Sequence, residues 1–142
     1  MEIEKALRVI LLVEDHEDNR VIYGTLLGAH GFEVCEADGA EVGIVMAKTR
    51  QPALVLMDIG LPGIDGVEAT RLLKRDPATA HLPIVALTAH GLRAERQRAM
   101  SAGVDGYLVK PVSGEALIRE VELVLARQSA RSGTASDDAG GG

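Results

Sequence analysis

Five short apolar runs, each bounded by polar or turn-forming residues, recur along the chain at 9–13, 32–36, 53–58, 84–87 and 106–109. Runs of this length without strict alternation read as strands buried on both faces. Between them the apolar residues fall at helical spacing. The pattern predicts a helix over 16–30 with Val21, Ile22, Leu26 and Leu27 as its apolar stripe. Asp15 or His16 suits its cap, Glu17 and Asp18 its positive end, and Gly31 the left-handed position after it. A second helix runs from Asp38-Gly39 through Arg50, its apolar residues Val42, Ile44, Val45 and Met46, and Pro52 stops it. A third covers 67–75, with Leu72 and Leu73 inward, Arg71, Lys74 and Arg75 in solvent, and a break at Pro77. A fourth, over about 93–102, is so polar that it buries little. The last covers about 113–127, with Ser113 as N-cap and Leu117, Ile118, Val121, Val124 and Leu125 facing the sheet.

Strict strand–helix alternation predicts a parallel sheet with helices on both faces and right-handed crossovers. The strand order follows from where the polar groups lie. The first strand ends on Glu14-Asp15, the third on Asp58, the fourth on Thr88 and the fifth on Lys110, whereas the second ends on Cys35-Glu36-Ala37. A 2-1-3-4-5 order sends the second strand to the edge and gathers the other ends around a topological switch point. The fold class expected is α/β, a flavodoxin-like doubly wound sheet of five parallel strands with five helices. It occupies residues 7–127, and the Ser-, Gly- and Asp-rich segment 128–142 is expected to be a disordered tail or linker.

Composition narrows the function. The net charge of −6 and pI near 5.2 argue against a nucleic-acid binder. The only aromatics, Tyr23, Phe32 and Tyr107, leave no stacking surface for flavins or single strands. Cys35 is the single cysteine, so neither an internal disulfide nor a thiolate cluster forms, and a small buried hydrophobe is the expected role. No apolar run has membrane-spanning length and the charged start is unlike a signal peptide, so the expected location is cytoplasmic.

The gathered strand ends carry the chemistry. Glu14, Asp15 and Asp58 would repel one another without an intervening cation, and a hard divalent ion held by oxygens, Mg²⁺, fits such a set. Lys110 offers a point charge and Thr88 a hydroxyl, both suited to phosphoryl oxygens. Asp58 is then placed as a nucleophile that forms an aspartyl phosphate.

Glu14-Asp15, Asp58 followed by Leu61-Pro62-Gly63-Ile64-Asp65-Gly66, Thr88-Ala89 and Lys110-Pro111 together resemble the receiver domains of two-component response regulators. That resemblance implies a phosphorylation-switched signalling module that catalyses only its own phosphorylation and dephosphorylation. Asp58 would accept the phosphoryl group from a histidine kinase or a histidine phosphotransfer protein. Mg²⁺ would be held by Asp15, Asp58 and the Gly60 carbonyl, with Glu14 acting through water. Thr88 and Tyr107 would be the switch pair, and Lys110 would pair with phosphoryl oxygens beside a cis Lys110–Pro111 peptide. The output partner would be a protein bound through the fourth helix, fifth strand and fifth helix, with neither nucleic acid nor membrane contacted directly. Gly60 and His90 occupy positions that tune phosphoryl loss in this family, and His90 is expected to shield the site or hold water there.

Three alternatives stay open on the sequence. The chain can be a receiver segment of a larger hybrid kinase or multidomain regulator, or a receiver that binds independently of phosphorylation. A phosphatase of similar topology is the third, but its usual Asp-x-Asp pattern after the first strand is not matched by Asp15-His16-Glu17. His16, His30 and His81 are expected at caps or on the surface, and the arginines of the fourth helix in solvent.

Overall fold

The computed structural model describes residues 8–60, 65–89 and 91–141, with side-chain surroundings through residue 130. Residues 61–64 of the expected Gly- and Pro-rich loop, and His90, lie outside the described residues. Strands β1 (Val9–Val13), β2 (Glu33–Ala37), β3 (Leu54–Asp58), β4 (Ile84–Thr88) and β5 (Gly106–Val109) alternate with five helices among the described residues. These are α1 (Glu17–Ala29), α2 (Ala40–Arg50), α3 (Gly66–Arg75), α4 (Arg93–Ala102) and α5 (Gly114–Gly141). Every pairing is parallel and the order is β2-β1-β3-β4-β5, the flavodoxin-like arrangement expected.

Alternate residues of the central strands feed two separate cores. Leu11, Val13, Val55, Met57, Ile84 and Ala86 meet α2, α3 and α4 on one side. Ile10, Leu12, Leu54, Leu56, Val85 and Leu87 meet α1 and α5 on the other. All these strand residues are fully buried, which is why their sequence shows continuous apolar runs instead of alternation.

Several helix faces differ from expectation. Helix α1 buries Tyr23 and Leu27, with Leu26 half-buried, while Val21 and Ile22 are 59% and 53% exposed. In α2 the buried face is Ala40, Gly43 and Ala47, and Val42 and Val45 point outward. Small residues win there because the helix lies close to the sheet: a Cβ on Gly43 would stand 2.8 Å from Val13 Cγ2. Leu72 is exposed while its neighbour Leu73 is buried. Lys74 is not simply solvated, since its ammonium donates to the Leu82 carbonyl at 2.8 Å and pairs with Asp105 at 3.2 Å.

Helix α5 extends to Gly141, through most of the segment 128–142 expected as a disordered tail or linker. Ala126, Arg127, Gln128 and Ala130 favour helix, and no proline interrupts the segment. Its start matches expectation, with the Ser113 hydroxyl accepting from the Ala116 N–H at 3.1 Å and all five predicted sheet-facing residues buried. Cys35 is buried and free, and burial raises its thiol pKa. Among the described residues no helix is long and apolar enough to cross a membrane.

Candidate functional site

Strand register assembles the site. Val13 stands opposite Met57, so Glu14 and Asp15, just beyond β1, arrive at the edge where Asp58 ends β3. Thr88 ends β4 opposite Val109, which places Lys110 one step further along the same edge. The main chain closes around it, with Lys110 N–H donating to the Thr88 carbonyl at 2.7 Å and Ile59 N–H to the Leu87 carbonyl at 2.9 Å. The Lys110–Pro111 peptide is cis, as the resemblance implied.

Lys110 joins the two buried carboxylates. Its ammonium donates to Glu14 Oε1 at 2.7 Å and to Asp58 Oδ2 at 3.1 Å. Glu14 is fully buried and Asp58 only 4% exposed. Asp58 Oδ1 accepts the Gly60 N–H at 2.9 Å. The other Glu14 oxygen accepts the His16 N–H at 3.0 Å, and Arg20 caps the Glu14 carbonyl at 2.7 Å. The loop returns from Asp58 to α3 through Gly66, where a Cβ would fall 2.3 Å from the Asp58 carbonyl oxygen and 2.5 Å from Ile59 Cα. Only glycine allows this approach. Asp65 then caps α3, its Oδ1 accepting the Glu68 N–H at 2.8 Å.

These surroundings push the two carboxylates apart. Burial works to raise the Glu14 carboxyl, but hydrogen bonds from Lys110 and the His16 N–H overcome it and hold the pKa down to about 2. Burial raises Asp58, the Glu14 charge adds to the rise, and the Gly60 N–H and Lys110 only partly oppose it. Burial opposes the charge on Lys110, yet the carboxylates prevail and raise its pKa.

Whether a cation suits this edge can be judged from its unsatisfied groups. The Lys110 ammonium pairs with Glu14 and Asp58, and Asp15, next to Glu14, adds a third carboxylate at this end of the sheet. Among the described residues Asp15 Oδ1 is buried without a hydrogen-bond partner, although His16 Nδ1 approaches it to 3.2 Å. A buried carboxylate oxygen left in that state is costly unless a cation or ordered water completes it. Ligand atoms of Glu14, Asp15 and His16 lie within 4.8 Å of one another. The carboxylate oxygens of this group, beside an excess of negative charge, suit a hard divalent ion.

Thr88 at the end of β4 and Tyr107 in β5 both touch α4. Thr88 is 1% exposed, and its hydroxyl donates to a Glu95 carboxylate oxygen. Tyr107 is half-buried against the core, with the Arg96 guanidinium 5.6 Å above its ring. Sequence reasoning had assigned this helix's arginines to solvent and gave Glu95 no role. It also left His16 on the surface; His16 is exposed at the N-cap of α1, but its ring stands beside Asp15 and Glu14. His30 caps the other end of α1 and His81 is exposed, as expected.

Comparison with known proteins gives one answer. The family described as the response regulator receiver domain matches residues 10–122. The chain is 32% identical over 116 residues to the polar-differentiation response regulator DivK of Brucella anthropi, covering 82% of this chain and 94% of that protein. It superposes on a response regulator of Chloroflexus aurantiacus with a TM-score of 0.80 at 30% identity, covering 84% of this chain and 98% of that one. The receiver domain of a sensor histidine kinase from Pseudomonas aeruginosa, solved with a magnesium ion in its active-site cleft, gives 0.78 at 31% identity with the same coverage. The fold, the acidic strand ends and these matches agree: the chain belongs to the response regulator receiver domains of two-component systems, phosphoacceptor domains that act only in their own phosphorylation and dephosphorylation.

Proposed function

We propose that Asp58 is the phosphoacceptor of a phosphorylation switch spanning residues 7–127 and charged by a histidine kinase or histidine phosphotransfer protein. The observation that carries this reading is the Asp58 carboxylate at a strand end, fixed by Lys110 at 3.1 Å and the Gly60 N–H at 2.9 Å. Asp15 Oδ1, buried without a hydrogen-bond partner among the described residues, lies just past the end of the neighbouring strand β1.

An Asp58 oxygen attacks phosphorus in line, and the bond from phosphorus to the donor's imidazole nitrogen or acyl oxygen breaks with the electron pair leaving on the donor. Lys110 is placed to follow the charge from the carboxylate to the phosphoryl oxygens. Asp15, Asp58 and the Gly60 carbonyl would hold Mg²⁺, with Glu14 acting through water, and the ion would supply positive charge against the transferred group. Hydrolysis reverses the switch, with water attacking phosphorus and the Asp58 carboxylate leaving.

Thr88 turns toward the phosphoryl group and Tyr107 moves inward behind it. The output surface is α4, β5 and α5. A cleft of about 720 Å³ along α4, lined by Gly91, Arg93, Arg96, Gln97, Met100 and Ser101, supports that assignment. So do the exposed apolar side chains of Leu92, Met100 and Val109 on the same side. The partner there is another protein.

Incubation with Mg²⁺ and acetyl phosphate, followed by intact mass measurement, tests the reading. The parent gains one phosphoryl group and Asp58→Asn gains none. An unmodified parent favours a receiver that binds without phosphorylation, and continuous phosphate release from varied monoesters favours a phosphatase.

A further inference from the structure

Helix α4 has little apolar grip on the domain. Only Ala99 and Ala102 are buried, and its N-cap residue Leu92 makes no side-chain cap bond. Polar tethers hold it instead, and they reach the site. Glu95 accepts the Thr88 hydroxyl at the end of β4, Arg96 stands over the Tyr107 ring in β5, and Arg98 pairs with Asp65 at 3.6 Å where the β3 loop enters α3. Consecutive residues of one helical turn thus hold both members of the switch pair.

A threonine hydroxyl carries one proton and donates to one acceptor at a time. The bond from Thr88 to Glu95 and a bond from Thr88 to a phosphoryl oxygen on Asp58 are therefore mutually exclusive. We propose that Glu95 is a positioning residue that competes with the phosphoryl group for the Thr88 hydroxyl, so that phosphorylation of Asp58 releases the first turn of α4 from β4. The proposal rests on Asp58 being the phosphoacceptor. Its physical content is a coupling: whatever draws the Thr88 hydroxyl inward takes from Glu95 a charge-assisted hydrogen bond, one of the stronger kinds. With so little buried surface to resist, the turn that carries Glu95 and Arg96 then shifts. Arg96 moves with it, and Tyr107 loses the cation that lies over its ring. Without Glu95 that bond no longer has to be broken, and the chain is easier to phosphorylate.

Two readouts on the same variants test this. The first uses the unphosphorylated chain and amide hydrogen exchange across residues 93–102. Glu95→Ala and Thr88→Val each speed exchange roughly tenfold or more, the order expected for losing one hydrogen bond to a carboxylate. The double variant exchanges no faster than either single one. Multiplying effects in the double variant would overturn the contact. The second readout is the rate of phosphorylation by acetyl phosphate with Mg²⁺. Glu95→Ala is phosphorylated about fivefold faster than the parent and Glu95→Gln falls between them, while adding Glu95→Ala to Thr88→Val changes nothing. Equal rates in parent and Glu95→Ala overturn the competition. A parent that accepts no phosphoryl group overturns the phosphoacceptor reading itself, which the exchange cycle distinguishes from failure of the contact.

Discussion

Replacing Lys110 by methionine keeps most of the side-chain volume and removes the ammonium that two buried carboxylates share. At 2.7 Å from Glu14 and 3.1 Å from Asp58 the gross attractions are roughly 6 and 5 kcal/mol at an effective dielectric of about 20. Most of this is offset by the cost of burying the charges, and removing one partner of a buried pair costs a net of about 3 kcal/mol or more. With a urea m-value of about 2 kcal/mol/M, the unfolding midpoint of Lys110→Met in Mg²⁺-free buffer at pH 7.5 falls by about 1.5 M. The loss depends on pH. In the parent, Glu14 has a folded pKa lowered from 4.5 to about 2, so its contribution is complete above pH 4.5 and is lost as pH falls toward 2. Without Lys110, burial governs both carboxyls and raises them, so protonation stabilises the folded variant and the gap to the parent narrows at pH 5. Added Mg²⁺ narrows it too: with one positive charge fewer, the variant binds the ion roughly tenfold more tightly. A loss under about 1 kcal/mol at pH 7.5, or one equally large at pH 5, would refute the reasoning.

Asp58→Asn is more stable than the parent in Mg²⁺-free buffer at pH 7.5, because the raised folded pKa of Asp58 makes its ionised form a burden above its unfolded pKa. Urea titration checks the sign, and the advantage shrinks as pH falls and the parent's Asp58 takes up its proton. Gly66→Ala drives a methyl group into the Asp58 carbonyl and the Ile59 backbone; thermal unfolding should show a loss of about 3 kcal/mol or a chain that fails to fold. Lys74→Met, which abandons the Leu82 carbonyl and Asp105, costs about 1–2 kcal/mol in the same measurement and leaves phosphorylation by acetyl phosphate unchanged.

The sheet was legible because its chemistry sits at strand ends. Five continuous apolar runs, four ending on polar groups, were enough to choose the 2-1-3-4-5 order and to bring Glu14, Asp15, Asp58, Thr88 and Lys110 to one edge. Helix faces were less legible where size and burial part company. The stripe in α2 is Ala40, Gly43 and Ala47, which a reading weighted toward Val42 and Val45 passes over, and in α1 Tyr23 takes the buried place predicted for Val21 and Ile22. The Asp65 cap was a local signal available in the sequence, since an Asp stands three residues before Glu68, but it was absorbed into the loop reading. Glu95, Arg96 and His16 were out of reach for another reason. Their site contacts depend on how a helix end is laid against a neighbouring strand, and a polar helix offers no periodicity that reveals it.

The central claim is that the phosphoryl group is carried by Asp58. After phosphorylation with acetyl phosphate and Mg²⁺, borohydride reduction converts an aspartyl phosphate to homoserine, and trypsin then releases residues 51–71 as one peptide containing both Asp58 and Asp65. Fragmentation should place the reduced residue at 58 and leave Asp65 intact. Reduction at 65, or a phosphoryl adduct that survives in Asp58→Asn, would contradict the account.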